Sequence, residues 1–149
     1  MNEAEFLNLN TELPDTEFQF KQFGEKIETI VIGLHGWTGD EHSLNPISMG
    51  VMLHNSLWIF PRAPFNARQI PKGYSWFDRK PKSKMEVLET VHIIIKIVDS
   101  IQDSMGKNVR IFLLGFSQGA TLSTAAGLLI GNKINGIVAI AGFLSRKNV

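Results

Sequence analysis

Gly115-Phe116-Ser117-Gln118-Gly119 constrains this chain more than any other run of residues. Residues 109–114 ahead of it (Val-Arg-Ile-Phe-Leu-Leu) form an apolar strand pattern. Gly119, Ala120, Ser123, Thr124, Ala125 and Ala126 behind it make a small-residue helix that could lie close to a sheet. A Gly-x-Ser-x-Gly run in that setting places its serine on a tight, strained turn between strand and helix, a nucleophile elbow. The flanking glycines let the two elements approach without a clash of β-carbons. Unpaired N–H groups at the helix start favour a negative charge developing beside Ser117, and the Gln118 N–H is the natural first oxyanion donor. The bare pattern also arises by chance in a chain with 13 glycines. Strand before and helix after are what give it meaning.

The rest of the chain supplies a frame for that corner. Residues 27–34 (Ile-Glu-Thr-Ile-Val-Ile-Gly-Leu) become continuously apolar and β-branched, as central parallel strands do. Residues 56–60 and 136–141 repeat the signal, and Phe18, Phe20 and Phe23 suggest an edge strand with one buried face. Residues 1–16 are polar and read as an arm or a weak first strand. Helices are expected over 44–54, 83–105 and 118–130. The long middle one has Leu88, Val91, Ile94, Ile95, Val98 and Ile101 on one stripe, and Glu89, His92, Lys96, Asp99 and Asp103 opposite. Ser83 with Glu86 would form a capping box at its start, and Gly106 suits its end. Strands alternating with helices predict an α/β fold, a mostly parallel sheet with helices on both faces. Residues 62–82 break the rhythm with three prolines and four aromatics; so long a connection is more often functional than idle.

Composition narrows the function. A chain of 149 residues with 44% hydrophobic content makes one domain with a packed core. Fifteen basic residues against 14 acidic ones give no electrostatic case for nucleic acid or an anionic membrane. All 14 acids precede Ser117. The absence of cysteine excludes a disulfide framework, a thiol nucleophile and thiolate metal sites. The acidic, polar start is unlike a signal peptide, and no apolar run is long enough to span a bilayer. A soluble cytoplasmic protein is the expectation.

Leu34-His35-Gly36-Trp37-Thr38-Gly39-Asp40 ends the first strong strand with a glycine-bearing turn, where α/β sheets place ligand sites. A second oxyanion donor is expected from such a loop, and the Trp37 N–H is the candidate. The His35 side chain is read as a brace of that loop and not as a base. His42, His54 and His92 read as exposed or structural. No His, Asp or Glu follows Ser117, although a triad in the order Ser, acid, His would need them there.

Taken in order, these residues resemble the phospholipase/carboxylesterase family of α/β-hydrolases, which includes acyl-protein thioesterases. The matching runs are Leu34-His35-Gly36 with Gly39-Asp40, Phe60-Pro61-Arg62-Ala63-Pro64, Ser75-Trp76-Phe77-Asp78 and Gly115-Phe116-Ser117-Gln118-Gly119-Ala120. The resemblance implies a serine hydrolase that cleaves carboxylic esters or thioesters through an acyl-enzyme on Ser117. It further implies an oxyanion hole from the Trp37 and Gln118 N–H groups, and a substrate site shaped by Trp76, Phe77 and Arg62. No metal or cofactor is implied. Family members continue with two more strands carrying the triad Asp and His. The chain is therefore expected to be a single domain over 1–149, C-terminally incomplete and truncated after the strand that follows the nucleophile helix. It would be close to inactive alone and prone to self-association through an exposed sheet edge. A catalytically dead binding module for acyl groups or partners, and a related thioesterase or peptidase or one completed by another chain, stay open.

Overall fold

The apolar runs condense into one five-stranded sheet. A computed structural model describes residues 7–68, 70–78 and 84–143. In chain order the elements are α1 (Leu9–Glu12), β1 (Phe18–Phe23), β2 (Thr29–Leu34), α2 (Asn45–Val51), β3 (Ser56–Pro61), β4 (Phe65–Asn66), β5 (Tyr74–Ser75), α3 (Lys84–Met105), β6 (Arg110–Phe116), α4 (Gln118–Ile130) and β7 (Gly136–Ile140). The sheet order is β1-β3-β2-β6-β7. Only β1 runs antiparallel, with Phe18 opposite Pro61 and Phe23 opposite Ser56; the other four strands are parallel. Register aligns Leu34 at the end of β2 with Gly115 near the end of β6, so both glycine-bearing turns leave the same edge of the sheet side by side.

Side-chain alternation sorts the core into two layers. Ile30, Ile32, Leu57, Ile59, Ile111 and Leu113 pack with Val91, Ile94 and Ile101 of α3 and Leu122 and Ala126 of α4. Val31, Trp58, Phe60 and Leu114 point the other way, onto Leu44 and Ile47 around α2. Helices therefore cover both faces, as the alternation of strands and helices predicts. Among the described residues no helix is long and apolar enough to cross a membrane.

Three expectations shift. Among the described residues of the N-terminal segment, 7–16, there is no strand; they hold the single helical turn α1, and Leu7, Leu9 and Leu13 enter the core. α2 is shorter than expected, entered through Pro46 and closed where Met52 turns left-handed at φ 47°. On α3, Leu88 is 36% exposed while Val87 and Ile97 are buried. Positions 87 and 88 flank the stripe almost equally, and the choice falls to Val87 because Thr90 on that side is drawn in, its hydroxyl donating to the Trp76 carbonyl at 2.6 Å. The expected cap Ser83 lies outside the described residues.

Candidate active site

Ser117 sits at φ 52°, ψ −112°, between the end of β6 and the first residue of α4. Non-glycine residues hold such a conformation at a cost of about 1–3 kcal/mol, and only where the surroundings impose it. Here the surroundings do. A β-carbon built on Gly115 would lie 2.2 Å from the Gly119 carbonyl oxygen, and one on Gly119 would lie 2.0 Å from the Leu34 carbonyl oxygen. The Ser117 N–H donates to the Ile140 carbonyl at 2.8 Å, and its own carbonyl accepts from the Ala120 and Thr121 N–H groups. Ser117 is half-buried. Among the described residues its hydroxyl has no hydrogen-bond partner. Gln118 opens the helix, where an N–H has no carbonyl one turn behind it.

The loop after β2 lies against this corner: a β-carbon on Gly36 would come 3.5 Å from the Ser117 β-carbon. His35 holds the loop from inside. Its ring is buried, with Nδ1 2.7 Å from the Gly36 carbonyl, which can only accept, so Nδ1 carries the proton. Nε2 then accepts the Ala63 N–H at 3.1 Å. Both nitrogens are engaged with backbone, and the imidazole is not available as a base. Burial holds its pKa below the ordinary 6.5, against a smaller opposing effect of the Gly36 hydrogen bond.

A pH dependence follows. The unfolded chain takes up a proton on His35 near pH 6.5 while the folded chain resists it, so unfolded protein binds more protons below that pH. Stability is expected to fall from about pH 6.5 downward, by at most about 1.4 kcal/mol per pH unit for this group. Urea midpoints measured at pH 7.5, 6.5 and 5.5 check it. A midpoint that rises on acidification, or an onset unchanged in His35→Gln, would contradict the assignment.

Two of the three substrate-site residues that the resemblance implies make contacts within the chain. Arg62 faces Glu41, donating from Nε to Oε2 at 2.7 Å and from Nη2 to Oε1 at 2.6 Å, and its guanidinium lies 4.6 Å over the Tyr74 ring. The Arg62 hydrogen bonds hold the Glu41 carboxyl below its usual range, and Glu41 in turn raises the Arg62 pKa. Trp76 is fully buried; its indole N–H donates to the His35 carbonyl at 2.8 Å and its ring lies 5.2 Å from the His35 ring. Arg62 and Trp76 therefore brace the loop after β2. Phe77 borders a cavity of about 630 Å³ whose lining also includes Trp37, Phe65, Ser75, Arg68 and Glu89.

Glu41, Ser75 and Thr90 were not singled out as functional from the sequence, yet each ties this region together. Glu41 is 7% exposed, a burial no local pattern announces, since its partner is 21 positions away. The Gln118 side chain also does more than expected. Its Oε1 accepts the Trp76 N–H at 2.9 Å and its Nε2 donates to the Phe77 carbonyl at 2.8 Å and the Ser75 hydroxyl at 3.1 Å.

The chain is similar to known proteins in sequence and fold. A family model described as Phospholipase/Carboxylesterase matches residues 17–148. Carboxylesterase SOBER1 of Arabidopsis thaliana is 33% identical over 132 residues, covering 78% of this chain and 57% of that protein. Acyl-protein thioesterase 1 of Candida albicans is 31% identical over 141 residues, 84% of this chain and 61% of the other. The crystal structure of Arabidopsis thaliana SOBER1 superposes with a TM-score of 0.66 at 28% identity, over 78% of this chain and 62% of that one. The chain thus spans less than two thirds of the length of these relatives.

Proposed function

Since the chain belongs to the phospholipase/carboxylesterase family, we propose that it carries the nucleophile and oxyanion half of a serine hydrolase acting on carboxylic esters or thioesters. Ser117 Oγ attacks the carbonyl carbon, and the Trp37 and Gln118 N–H groups receive the charge that develops on the carbonyl oxygen. Collapse breaks the bond to the leaving oxygen or sulfur, which departs as alcohol or thiol with the Ser117 proton delivered through solvent, and leaves an acyl-enzyme. Water then adds to the acyl carbon, releasing the carboxylic acid and restoring the Ser117 hydroxyl. Phe77 and the cavity beside Trp37 border the bound acyl ester. One observation carries the reading: a serine forced to φ 52° with the Gly36 turn against its β-carbon.

An activated serine needs a base. No His, Asp or Glu follows Ser117 in this chain, and His35 is committed to backbone. Labelling by a fluorophosphonate is therefore expected to be slow, to give one adduct by intact mass, and to vanish in Ser117→Ala. An adduct at another residue, or none after prolonged exposure, would defeat the proposal. That the Ser117 hydroxyl has no partner among the described residues also favours a second reading, an acyl-binding module without catalysis. That reading predicts saturable binding of an acyl ester with no adduct.

Self-association is expected on separate grounds. Among the described residues β7 is the outermost strand of the sheet, and Ile137, Val138 and Ile140 are 38%, 48% and 37% exposed. It carries neither the charge nor the proline that normally blunts an edge against pairing with a second copy. Sedimentation should show dimers or larger species that Val138→Lys shifts toward monomer; a parent chain that is monomeric at high concentration would contradict this.

A further inference from the structure

Two N–H groups from distant parts of the chain can serve one oxyanion only if the gap between them is fixed before the reaction. The loop after β2 meets β5 through a pair of backbone bonds: the Thr38 N–H donates to the Tyr74 carbonyl, and the Tyr74 N–H to the Gly39 carbonyl, each at 2.9 Å. The residues that follow Tyr74 wrap around the buried side chain of Gln118, which holds the Trp76 N–H and the Phe77 carbonyl at once. The Ser75 hydroxyl closes the ring, accepting from Gln118 Nε2 and donating to the Phe77 carbonyl. Trp76 then returns to the base of the first loop through its indole bond to the His35 carbonyl. A path of hydrogen bonds thus runs from Thr38 through Tyr74 to Gln118, and buried networks satisfied in this way are rigid.

We infer that residues 74–77 are the spacer that sets the two oxyanion donors in register, and that the Gln118 side chain is the positioning residue that locks it. The inference rests on the assignment of Trp37 and Gln118 as donors made above. The side chain acts apart from the backbone: substitution at position 118 keeps the N–H and removes only the lock. A residue that merely filled the core there would leave the Thr38–Gly39 loop, which it does not touch, undisturbed.

The test uses the full chain with Gln118→Met, which keeps the bulk and removes every side-chain hydrogen bond. Hydrogen exchange of the Thr38 and Tyr74 amides is expected to rise about tenfold or more while β2 and β6 keep their protection. The maximal rate of fluorophosphonate labelling should fall about 10–100-fold, the scale expected when a donor is misplaced by about 1 Å, with the half-saturating concentration changed less than about twofold. Gln118→Glu keeps the acceptor for Trp76 and should fall between. Thr38 exchange equal to the parent's, or a loss carried wholly by half-saturation, overturns the inference. If Gln118→Met unfolds, Ser75→Ala decides it: the Thr38 amide must loosen with β6 intact. A parent chain with no Ser117 adduct would defeat the hydrolase reading instead, and the exchange measurement would still report the coupling.

Discussion

Turnover of an activated ester by this 149-residue chain is expected to run about 10⁴- to 10⁶-fold below that of an enzyme with a complete triad, the cost of deleting triad members elsewhere. The reason is specific to where the groups lie. A serine hydroxyl at neutral pH must lose its proton as it attacks, and the Ser117 hydroxyl has no hydrogen-bond partner among the described residues. His35 has its Nδ1 proton on the Gly36 carbonyl and its Nε2 lone pair on the Ala63 N–H; recruiting it would break two buried bonds. His42 is 3.4 Å from Glu41 with a mostly exposed side chain, and His54 and His92 are exposed. What remains is the oxyanion pair and binding, worth about 10³–10⁴ over water. Steady-state hydrolysis of a p-nitrophenyl ester, compared with Ser117→Ala, reads the residue of activity directly. An ordinary serine-esterase rate abolished by Ser117→Ala would mean that a base reaches the hydroxyl by a route not seen here.

Much of the frame was legible because local pattern and burial agree. Residues 27–34 and 109–114 read as strands from their apolar runs and fall on β2 (Thr29–Leu34) and β6 (Arg110–Phe116), and the sharp turn at Ser117 is legible from two glycines and a serine. α4 spans Gln118–Ile130, the range its small residues and the following Gly131-Asn132 predict. Legibility stopped where side chains reach across the sequence. The resemblance implies a substrate contact at Arg62, but its bidentate partner Glu41 sits in a different loop. The resemblance implies a pocket wall at Trp76, whereas its indole N–H donates to the His35 carbonyl 41 positions away. The grip of Gln118 on residues 75–77 spans more than 40 positions. No periodicity encodes such a pairing. α1 stayed hidden for another reason: three leucines in a polar stretch carry too weak a pattern to name an element until α3 offers them a surface.

Gly119→Ala is expected to destabilise the fold by more than about 4 kcal/mol, a large share of the about 5–15 kcal/mol by which ordinary domains are stable. The added methyl would lie 2.0 Å from the Leu34 carbonyl oxygen and 2.6 Å from that of His35, against ordinary contacts of about 3.5–4.0 Å. Neither oxygen can retreat. Leu34 is in register with Gly115 in the parallel ladder, and the His35 carbonyl receives the Trp76 indole. Relief would have to come from α4, yet a β-carbon on Gly127 already finds Ile137 of β7 at 2.2 Å, so the helix is pressed against the sheet along its length. Gly50→Ala provides the opposite sign: Gly50 lies within α2 with nothing within 4 Å of the added carbon, and alanine there should stabilise by about 0.5–1 kcal/mol. Urea unfolding followed by circular dichroism compares the two. Should Gly119→Ala keep the parent midpoint, the helix start must stand off the strand by an ångström or more. Ser117 and Gln118 would then be carried away from the Gly36 turn, and the oxyanion geometry would lose the close contact on which it depends.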